Sequence, residues 1–232
     1  MSAILQNART QTGHAERVAA WSDLRRLPDW QSPDWLNPIE HGELDRLRNP
    51  RRREAWLGGR WLAKMLVREH CDFASCDLSA IAVTSRNGRA ESVRPAVFVD
   101  GARFPCSLSI SHGERLVAAL LETAPGVGVG IDIAVRQSFG PGFLDTWFSP
   151  AEREWLAGGD AESASFVWAA KEAVYKASND GERFAPRRIE ILPGEVAGWQ
   201  VRRDGRLLKC DLQSRTIDDD ILVVAKYLRN ES

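Results

Sequence analysis

The pattern of hydrophobic and polar positions predicts a chain of mixed helices and strands. Residues 163–177 contain no Gly or Pro and many good helix formers, which predicts a helix. Residues 52–70 predict a second long helix, and Ser149 followed by Pro150 predicts the start of a short one. Short apolar runs bounded by Asn-Gly, Asp-Gly or Pro-Gly pairs predict strands and hairpins. These runs are residues 81–84, 96–99, 108–111, 116–121, 199–202, 207–210 and 221–228.

One acidic position in an apolar strand suggests chemistry. Residues 126–133 read G-V-G-V-G-I-D-I, so Asp132 would be costly to bury unless it meets a cation or strong donors. Residues 168–176, W-A-A-K-E-A-V-Y-K, place Glu172 and Lys176 one helical turn apart. Together the three side chains indicate a Mg²⁺ and phosphate site. The alternatives are a surface ion pair for the helix residues, and a turn cap or an arginine partner for Asp132.

The chain contains an internal duplication. Residues 36–66 match residues 148–178 without a gap, at an offset of 148 − 36 = 112. The identities pair Pro38 with Pro150, Glu40 with Glu152, Leu44 with Leu156, Trp56 with Trp168 and Lys64 with Lys176. The predicted fold is therefore α+β, with two similar α/β subdomains in a pseudo-twofold arrangement and an active site in the cleft between them. The turn at residues 122–126 predicts subdomains of residues 1–124 and 125–232.

Composition and charge narrow the classes of protein. With 44% hydrophobic and 27% charged residues, the composition of the 232-residue chain is compatible with a compact soluble enzyme. No apolar run approaches the ~20 residues that span a bilayer, so no membrane partner is expected. A net charge of −1 gives no general attraction to nucleic acid. The N-terminus lacks a basic start followed by an apolar core, so a cytoplasmic location is expected.

Four sequence blocks, in order and spacing, resemble the signature of the 4′-phosphopantetheinyl transferases in their double-length, pseudo-dimeric type. The blocks are S-I-S-H at residues 109–112, G-I-D-I at 130–133, F-S-P-A-E at 148–152 and W-A-A-K-E-A-V-Y-K at 168–176. One position departs from the pattern, since the family's usual G-I-D-x-E has Ala134 where a second acid should stand.

The resemblance implies a reaction and its participants. Such an enzyme, predicted to be a monomer, transfers the 4′-phosphopantetheine arm of coenzyme A to a serine of an apo acyl or peptidyl carrier protein and releases adenosine 3′,5′-bisphosphate. Asp132 and Glu172 would bind Mg²⁺, and Lys176 would stabilise the leaving group. The serine proton could pass to Glu152, to a metal-bound water or to Glu172 itself.

The resemblance also implies a binding region for the 3′-phosphate and adenine of coenzyme A in the first half. The candidates are Arg53, Arg60, Arg86 or Arg94, Ser111 and His112. In the ungapped alignment Arg60 stands opposite Glu172, so the first half would supply cations and the second half acids. A structural role is the alternative for His112.

Ala134 leaves a second reading of the function open. Either water fills the place of the missing carboxylate, or the chain is a degenerate, non-catalytic protein that binds coenzyme A or a carrier protein. A different Mg²⁺-dependent phosphotransferase would need a nucleotide motif, and the sequence has no G-x-x-x-x-G-K-[ST] loop. The pathway served, whether fatty acid, polyketide or nonribosomal peptide synthesis, is open.

Overall fold

The computed structural model describes residues 6–9, 14–27, 30, 32–71, 73–86, 92–179, 181–194 and 198–229. For residues 6–9, 86, 92 and 93 it describes the backbone alone. The chain forms two compact units, Met1–Pro125 and Gly126–Ser232. The predicted α+β class is confirmed, whereas the pseudo-twofold arrangement and the cleft stay predictions.

The first unit packs one long helix on a four-stranded antiparallel sheet. Its helices are α1 (Trp21–Leu24), α2 (Pro38–Leu44) and α3 (Pro50–His70). Its strands are β1 (Gln6–Arg9), β2 (Ala15–Ala20), β3 (Ile81–Arg86), β4 (Ser92–Val99), β5 (Ala102–Phe104), β6 (Ser107–His112) and β7 (Leu116–Glu122). The main sheet has the order β1-β2-β7-β6, and β3-β4-β5 form a second sheet. Leu62 and Leu66 of α3 share one buried core with Val117 and Ala119 of β7.

The second unit has a similar plan. Its helices are α4 (Pro141–Trp147), α5 (Pro150–Leu156) and α6 (Ala161–Ser178). Its strands are β8 (Val127–Val135), β9 (Ile189–Pro193), β10 (Trp199–Arg203), β11 (Arg206–Leu207), β12 (Cys210–Ile217) and β13 (Asp220–Leu228). The sheets have the orders β12-β13-β8 and β11-β10-β9. Val167 and Val174 of α6 pack with Val223 and Ala225 of β13.

The same capping arrangement begins the short helices α2 and α5. At α5 the Ser149 side chain accepts from the Glu152 backbone, and the Glu152 carboxylate accepts from the Ser149 backbone. Asn37 and Glu40 form the corresponding box at α2. The predicted start of α5 at Ser149 is confirmed, and the two boxes agree with the offset of 112 over the short helices.

The local predictions match the structure at most turns. The predicted hairpins at Asp100 and Asp204 are confirmed, because each aspartate has a positive φ (49° and 52°) and is followed by a glycine with positive φ. The turn predicted at Asn87 lies outside the described residues. The strand predicted at residues 207–210 is wrong, since β11 ends at Leu207 and β12 begins at Cys210.

The long helices do not follow the ungapped alignment. Lys64 forms a fully buried ion pair with Glu40, and its counterpart in the second unit is the fully buried pair of Lys171 with Glu152. The contacts therefore pair Lys64 with Lys171, at an offset of 171 − 64 = 107, and not with Lys176. The spacing from the glutamate to the buried lysine is 64 − 40 = 24 residues in the first unit and 171 − 152 = 19 in the second, five residues fewer. The predicted pairing of Lys64 with Lys176 is wrong for this reason.

The corrected offset changes other correspondences. Trp61 rather than Trp56 corresponds to Trp168, and Met65 rather than Arg60 corresponds to Glu172. Trp61 packs edge-on against Trp35 with ring centroids 5.2 Å apart, and Trp168 meets Trp147 in the same manner at 6.5 Å. In the part of the chain that the structure describes, no helix is long and apolar enough to cross a membrane. Cytoplasmic location and monomeric state stay predictions.

Candidate metal and phosphate site

A glycine allows strand β8 to touch helix α6. A Cβ atom at Gly130 would lie 1.9 Å from the carbonyl oxygen of Ala173, a distance that no side chain tolerates. The missing side chain lets the two backbones approach closely. This contact brings the strand residue Asp132 next to the helix residues Glu172 and Lys176.

Asp132 has the cation that its burial requires. The side chain of Lys176 donates from Nζ to Asp132 Oδ1 over 2.7 Å and to the carbonyl oxygen of Ile131 over 3.0 Å. Asp132 is 5% exposed, so the charge of its carboxylate is poorly solvated and is partly neutralised by the ammonium group. The lysine therefore points at the strand, and the alternative of a surface pair with Glu172 does not describe it.

Glu172 shares this site with Asp132. Burial, and after it the negative charge of Asp132, raise the pKa of Glu172 to about 7. The ammonium group of Lys176 and a hydrogen bond from the indole of Trp168 oppose this shift. Two carboxylates therefore share one ammonium group. In the absence of a metal, a proton on Glu172 relieves the repulsion between them.

The residues fit a divalent cation that binds together with a phosphate. Within residues 14–27, 30, 32–71, 73–85, 94–179, 181–194 and 198–229, no group of three or more His, Cys, Asp or Glu side chains could hold a metal. Mg²⁺ sites at phosphates often use one or two carboxylates, with water and phosphate oxygens as the other ligands. Asp132 and Glu172 match that donor set, and their mutual repulsion is what a cation would relieve.

Residues 128–225 match the model of the 4′-phosphopantetheinyl transferase superfamily. The matched segment lies within the second unit. The superfamily is one of transferases, and the matched segment contains Asp132, Glu172 and Lys176. No curated protein matches the chain significantly.

Several solved structures are similar to parts of the chain. The Chronobacterium ammoniagenes ACPS–CoA complex is 21% identical and covers 45% of this chain and 98% of its own, with a TM-score of 0.37. The holo-[acyl-carrier-protein] synthase of Neisseria meningitidis is 22% identical over 44% of this chain and 98% of its own, with a TM-score of 0.37. The Mycobacterium tuberculosis acyl carrier protein synthase is 29% identical over 44% of this chain and 97% of its own, with a TM-score of 0.34. Because these TM-scores are low, the similarity to the superfamily rests on the family model.

Glu152, a candidate proton acceptor, lies in the core of the superfamily segment. Its Oε2 accepts from the Ser149 backbone and from Lys171 Nζ, both over 2.7 Å. Its Oε1 accepts from the backbone of Ile191 over 2.8 Å. The carboxylate is fully buried, so neither oxygen is available to a substrate. The structure favours a structural role over the proton acceptor considered above.

The departure from the superfamily pattern lies on the same strand as Asp132. Ala134 is two residues further along β8, which places its side chain on the same face of the sheet. It is 8% exposed and belongs to the buried apolar cluster of the second unit. A carboxylate at this position would point to the Asp132 side of the sheet.

The arginine candidates of α3 differ in their surroundings. Arg60 is 4% exposed, and its Nη2 donates to Ser85 Oγ over 2.7 Å and to Glu43 Oε2 over 3.3 Å. Its guanidinium group also lies 4.7 Å from the ring centroid of Trp56. Arg60 is thus engaged inside its own unit. Arg53 is half-buried and donates to the Leu44 carbonyl over 3.1 Å.

The other first-half candidates lie on strands. Arg94 is half-buried on β4, while Ser111 is buried and His112 is exposed at the end of β6. The side chain of Arg86 lies outside the described part of the structure. A coenzyme A role for these residues stays a prediction.

Two residues near Glu172 had no role in the sequence analysis. The indole of Trp168 donates to the Glu172 carboxylate one turn along the helix and is packed by Phe143, with ring centroids 5.0 Å apart. Lys171 is fully buried beside Glu152. The spacing of four residues between Trp168 and Glu172 was a sequence signal for their hydrogen bond. No local pattern reveals the burial of Lys171 beside Glu152, because a lysine on a helix usually faces solvent.

Proposed function

We propose that this chain transfers the 4′-phosphopantetheine arm of coenzyme A to a serine of an apo acyl or peptidyl carrier protein and releases adenosine 3′,5′-bisphosphate. The observation that carries the proposal is the convergence of Asp132, Glu172 and Lys176 inside the segment that matches the transferase superfamily. This arrangement of two carboxylates and one ammonium group suits a pyrophosphate bound with a metal.

Each of the three side chains has a role in this reaction. Asp132 and Glu172 hold Mg²⁺, which when bound neutralises negative charge on the pyrophosphate oxygens. Lys176 supplies a positive charge within reach of the same oxygens and stabilises the leaving phosphate. Its ammonium group is already fixed by the Ile131 carbonyl, so little reorganisation is needed when substrate binds.

The enclosure of Glu152 narrows the choice of proton acceptor. Of the groups considered, Glu172 and a water molecule at the site remain, because both oxygens of Glu152 are occupied in the core. The acceptor must lie within hydrogen-bonding distance of the attacking serine hydroxyl. We favour a water molecule, since Glu172 is needed as a ligand.

We propose that the two subdomains have different roles in the reaction. Residues 125–232 bind the metal and perform the transfer, while residues 1–124 bind the 3′-phosphate and adenine of coenzyme A. The candidates for this contact are Arg53, Arg86 or Arg94, Ser111 and His112, since guanidinium and hydroxyl groups are suited to phosphate. Arg60 is a weaker candidate because Glu43 and Ser85 hold its guanidinium group.

A mass-shift assay tests the proposal. The purified chain is incubated with Mg²⁺, coenzyme A and a panel of apo carrier proteins, and each carrier is examined for addition of the phosphopantetheine arm. We expect Asp132→Asn and Glu172→Gln to abolish transfer, whereas Glu162→Gln, a change at an exposed acid of α6, leaves transfer intact. Near-parental transfer by either site variant would overturn the assignment.

Ala134 supports a second candidate, a non-catalytic protein that binds coenzyme A or a carrier protein. With Ala134 in place of an acid, β8 offers one carboxylate where the superfamily pattern has two. This candidate predicts that the wild-type chain binds coenzyme A in calorimetry but modifies no carrier protein. Transfer to a single carrier at stoichiometric enzyme decides against it.

A further inference from the structure

One buried ammonium group joins four segments of the second unit. Lys171 Nζ lies 2.7 Å from Glu152 Oε2 of α5 and donates to the Ile189 carbonyl at the start of β9 over 2.6 Å. It also donates to the carbonyl oxygens of Trp147 at the end of α4 (3.3 Å) and of Pro186 (3.0 Å). We call Glu152 and Lys171 the second clasp.

The first unit contains the same device. Lys64 pairs with Glu40 of α2 and donates to the carbonyl oxygens of Trp35 and Leu78, each over 3.0 Å. The Glu40 Oε1 accepts from the backbone of Val83 over 2.9 Å, as Glu152 accepts from Ile191. Glu40 and Lys64 form the first clasp.

The two clasps differ in what the helix carries next. The residue after Lys64 is Met65, whereas the residue after Lys171 is the candidate metal ligand Glu172. The first clasp therefore has the same buried contacts but no candidate metal ligand beside its lysine. It provides a control for the structural contribution of such a pair inside the same chain.

The second clasp fixes the turn of α6 on which Glu172 lies. On one side of Glu172, Lys171 anchors the helix to three carbonyl oxygens and a carboxylate. On its other side, the backbone of Ala173 rests against Gly130 of β8. Metal ligands must be held within a fraction of an ångström, and the groups behind them supply this precision.

A second contact leads from the clasp to the same carboxylate. Lys171 holds the carbonyl of Trp147, and the Trp147 ring packs against Trp168, whose indole donates to Glu172. In the first unit Lys64 holds the carbonyl of Trp35, whose ring packs against Trp61. The residue one turn after Trp61 is Met65 and not an acid.

We propose that Glu152 and Lys171 are positioning residues, whose buried ion pair orients Glu172 towards Asp132 for metal binding. The transfer part of this inference rests on the function proposed above. The orientation of the two carboxylates is a property of the protein that metal binding reports without any carrier protein.

Matched double variants test the inference. Glu152→Gln/Lys171→Met removes both charges of the second clasp, and Glu40→Gln/Lys64→Met does the same in the first, with side-chain volume nearly kept. We expect both variants to lower Tm by similar amounts. Mn²⁺ affinity in the presence of coenzyme A, measured by calorimetry, should fall by about tenfold or more in the second variant and hardly change in the first.

Transfer kinetics give a readout that general loss of stability does not produce. The second variant should need a higher Mg²⁺ concentration for half-maximal transfer and recover most of its kcat at saturating metal. Unchanged Mn²⁺ affinity in a folded second variant, or an equal loss in both variants, would overturn the positioning role. Absence of transfer by wild type would overturn the proposed function instead, while the Mn²⁺ comparison would still test the clasp.

A milder pair of variants applies if the double variants fail to fold. Ser149→Ala and Asn37→Ala remove the helix caps beside Glu152 and Glu40 respectively, and each change should lower Tm by a similar, modest amount. A smaller loss of Mn²⁺ affinity confined to Ser149→Ala supports the positioning role. Equal affinities for the two variants would contradict it.

Discussion

The ion pair between Asp132 and Lys176 has a counterpart of opposite polarity in the first unit. Arg17 of β2, which is 2% exposed, pairs with Glu69 of α3. At the offset of 107, Glu69 corresponds to Lys176, so the strand carries the cation and the helix the acid in the first unit. A strand cation at this place repels a metal ion. The charge reversal therefore agrees with the proposal that the metal site lies in the second unit.

Exchanging the charges of Asp132 and Lys176 gives the second unit the charge order of the first. This exchange should weaken metal binding while leaving the fold intact. In Asp132→Arg/Lys176→Glu the ion pair between strand and helix is retained, so we expect a folded protein with a Tm near that of wild type. Mn²⁺ affinity in the presence of coenzyme A should fall by about tenfold or more, because a guanidinium group replaces a ligand. Calorimetry and thermal unfolding check the two halves of this expectation. Retained metal binding would show that Asp132 is not a ligand.

The raised pKa of Glu172 predicts how stability depends on pH without metal. A carboxyl group with a pKa of about 7 in the folded state, above its ordinary value of 4.5, binds its proton more tightly when folded. Its contribution to stability is complete below its ordinary pKa and is lost as pH rises through 7. Glu172→Gln, which needs no proton, should therefore have a higher Tm than wild type at pH 8 and a similar Tm at pH 4.

A matched variant controls that comparison. Glu162 lies in the first turn of the same helix, where it is exposed and pairs with Arg136. Glu162→Gln should show no gain in Tm at pH 8. The interpretation of Glu172 is wrong if the two variants respond to pH in the same way.

The proximity of Asp132, Glu172 and Lys176 was predictable because it follows from short-range spacing. A lone Asp132 in an apolar strand and a Glu172–Lys176 pair one turn apart each constrain where a carboxylate can lie, and the family blocks join them. The buried contacts of Lys171 and Glu152 depend on segments that lie far apart in sequence. Such contacts leave no periodic pattern in the sequence.

The error in the internal alignment has a simple cause. Trp56 and Trp61 are five residues apart, and so are Lys171 and Lys176. An offset of 112 and an offset of 107 therefore both place Lys64 opposite a lysine and a tryptophan opposite Trp168. The buried contacts of the lysines distinguish the two offsets, and these contacts require the tertiary structure.

The close approach of β8 and α6 predicts a strict requirement for glycine at position 130. Gly130→Ala would place Cβ against the backbone of Ala173, which cannot yield as a flexible side chain can. We expect a loss of about 1–3 kcal/mol in the free energy of unfolding, measured with urea, together with weaker transfer. Gly158→Ala is the control, since no atom lies within 4 Å of the added Cβ. Equal stability of both variants would contradict the packing argument.

Coenzyme A recognition by the first unit can be tested with a ligand that lacks the 3′-phosphate. If Arg53 or Arg94 contacts that phosphate, dephospho-coenzyme A should bind more weakly than coenzyme A by more than ~1 kcal/mol. Arg53→Ala should reduce this difference if it makes the contact. Arg60→Leu should instead lower stability, since Arg60 is buried with Glu43 and Ser85. Equal affinities of wild type for both ligands would return these residues to a structural role.

Ala134 predicts an unusual metal dependence. Because one carboxylate of the usual pattern is absent, Mg²⁺ should bind weakly alone and more tightly with coenzyme A, whose pyrophosphate supplies the missing oxygens. Ala134→Glu places an acid on the Asp132 side of β8 and should lower the Mg²⁺ concentration needed for half-maximal transfer. Burial of the new carboxylate in the apolar cluster around Ala134 should lower Tm at the same time.

The outcome of Ala134→Glu also decides between the two candidate functions. An active wild type whose Mg²⁺ requirement exceeds that of the variant supports an enzyme in which water takes the ligand's place. An inactive wild type and an active variant support the non-catalytic binder, since restoring one ligand would then restore the reaction. An active wild type with the same metal dependence as the variant would contradict the placement of position 134 beside the metal. Ala134→Gln, which adds the same length without the charge, separates the electrostatic effect from that of size.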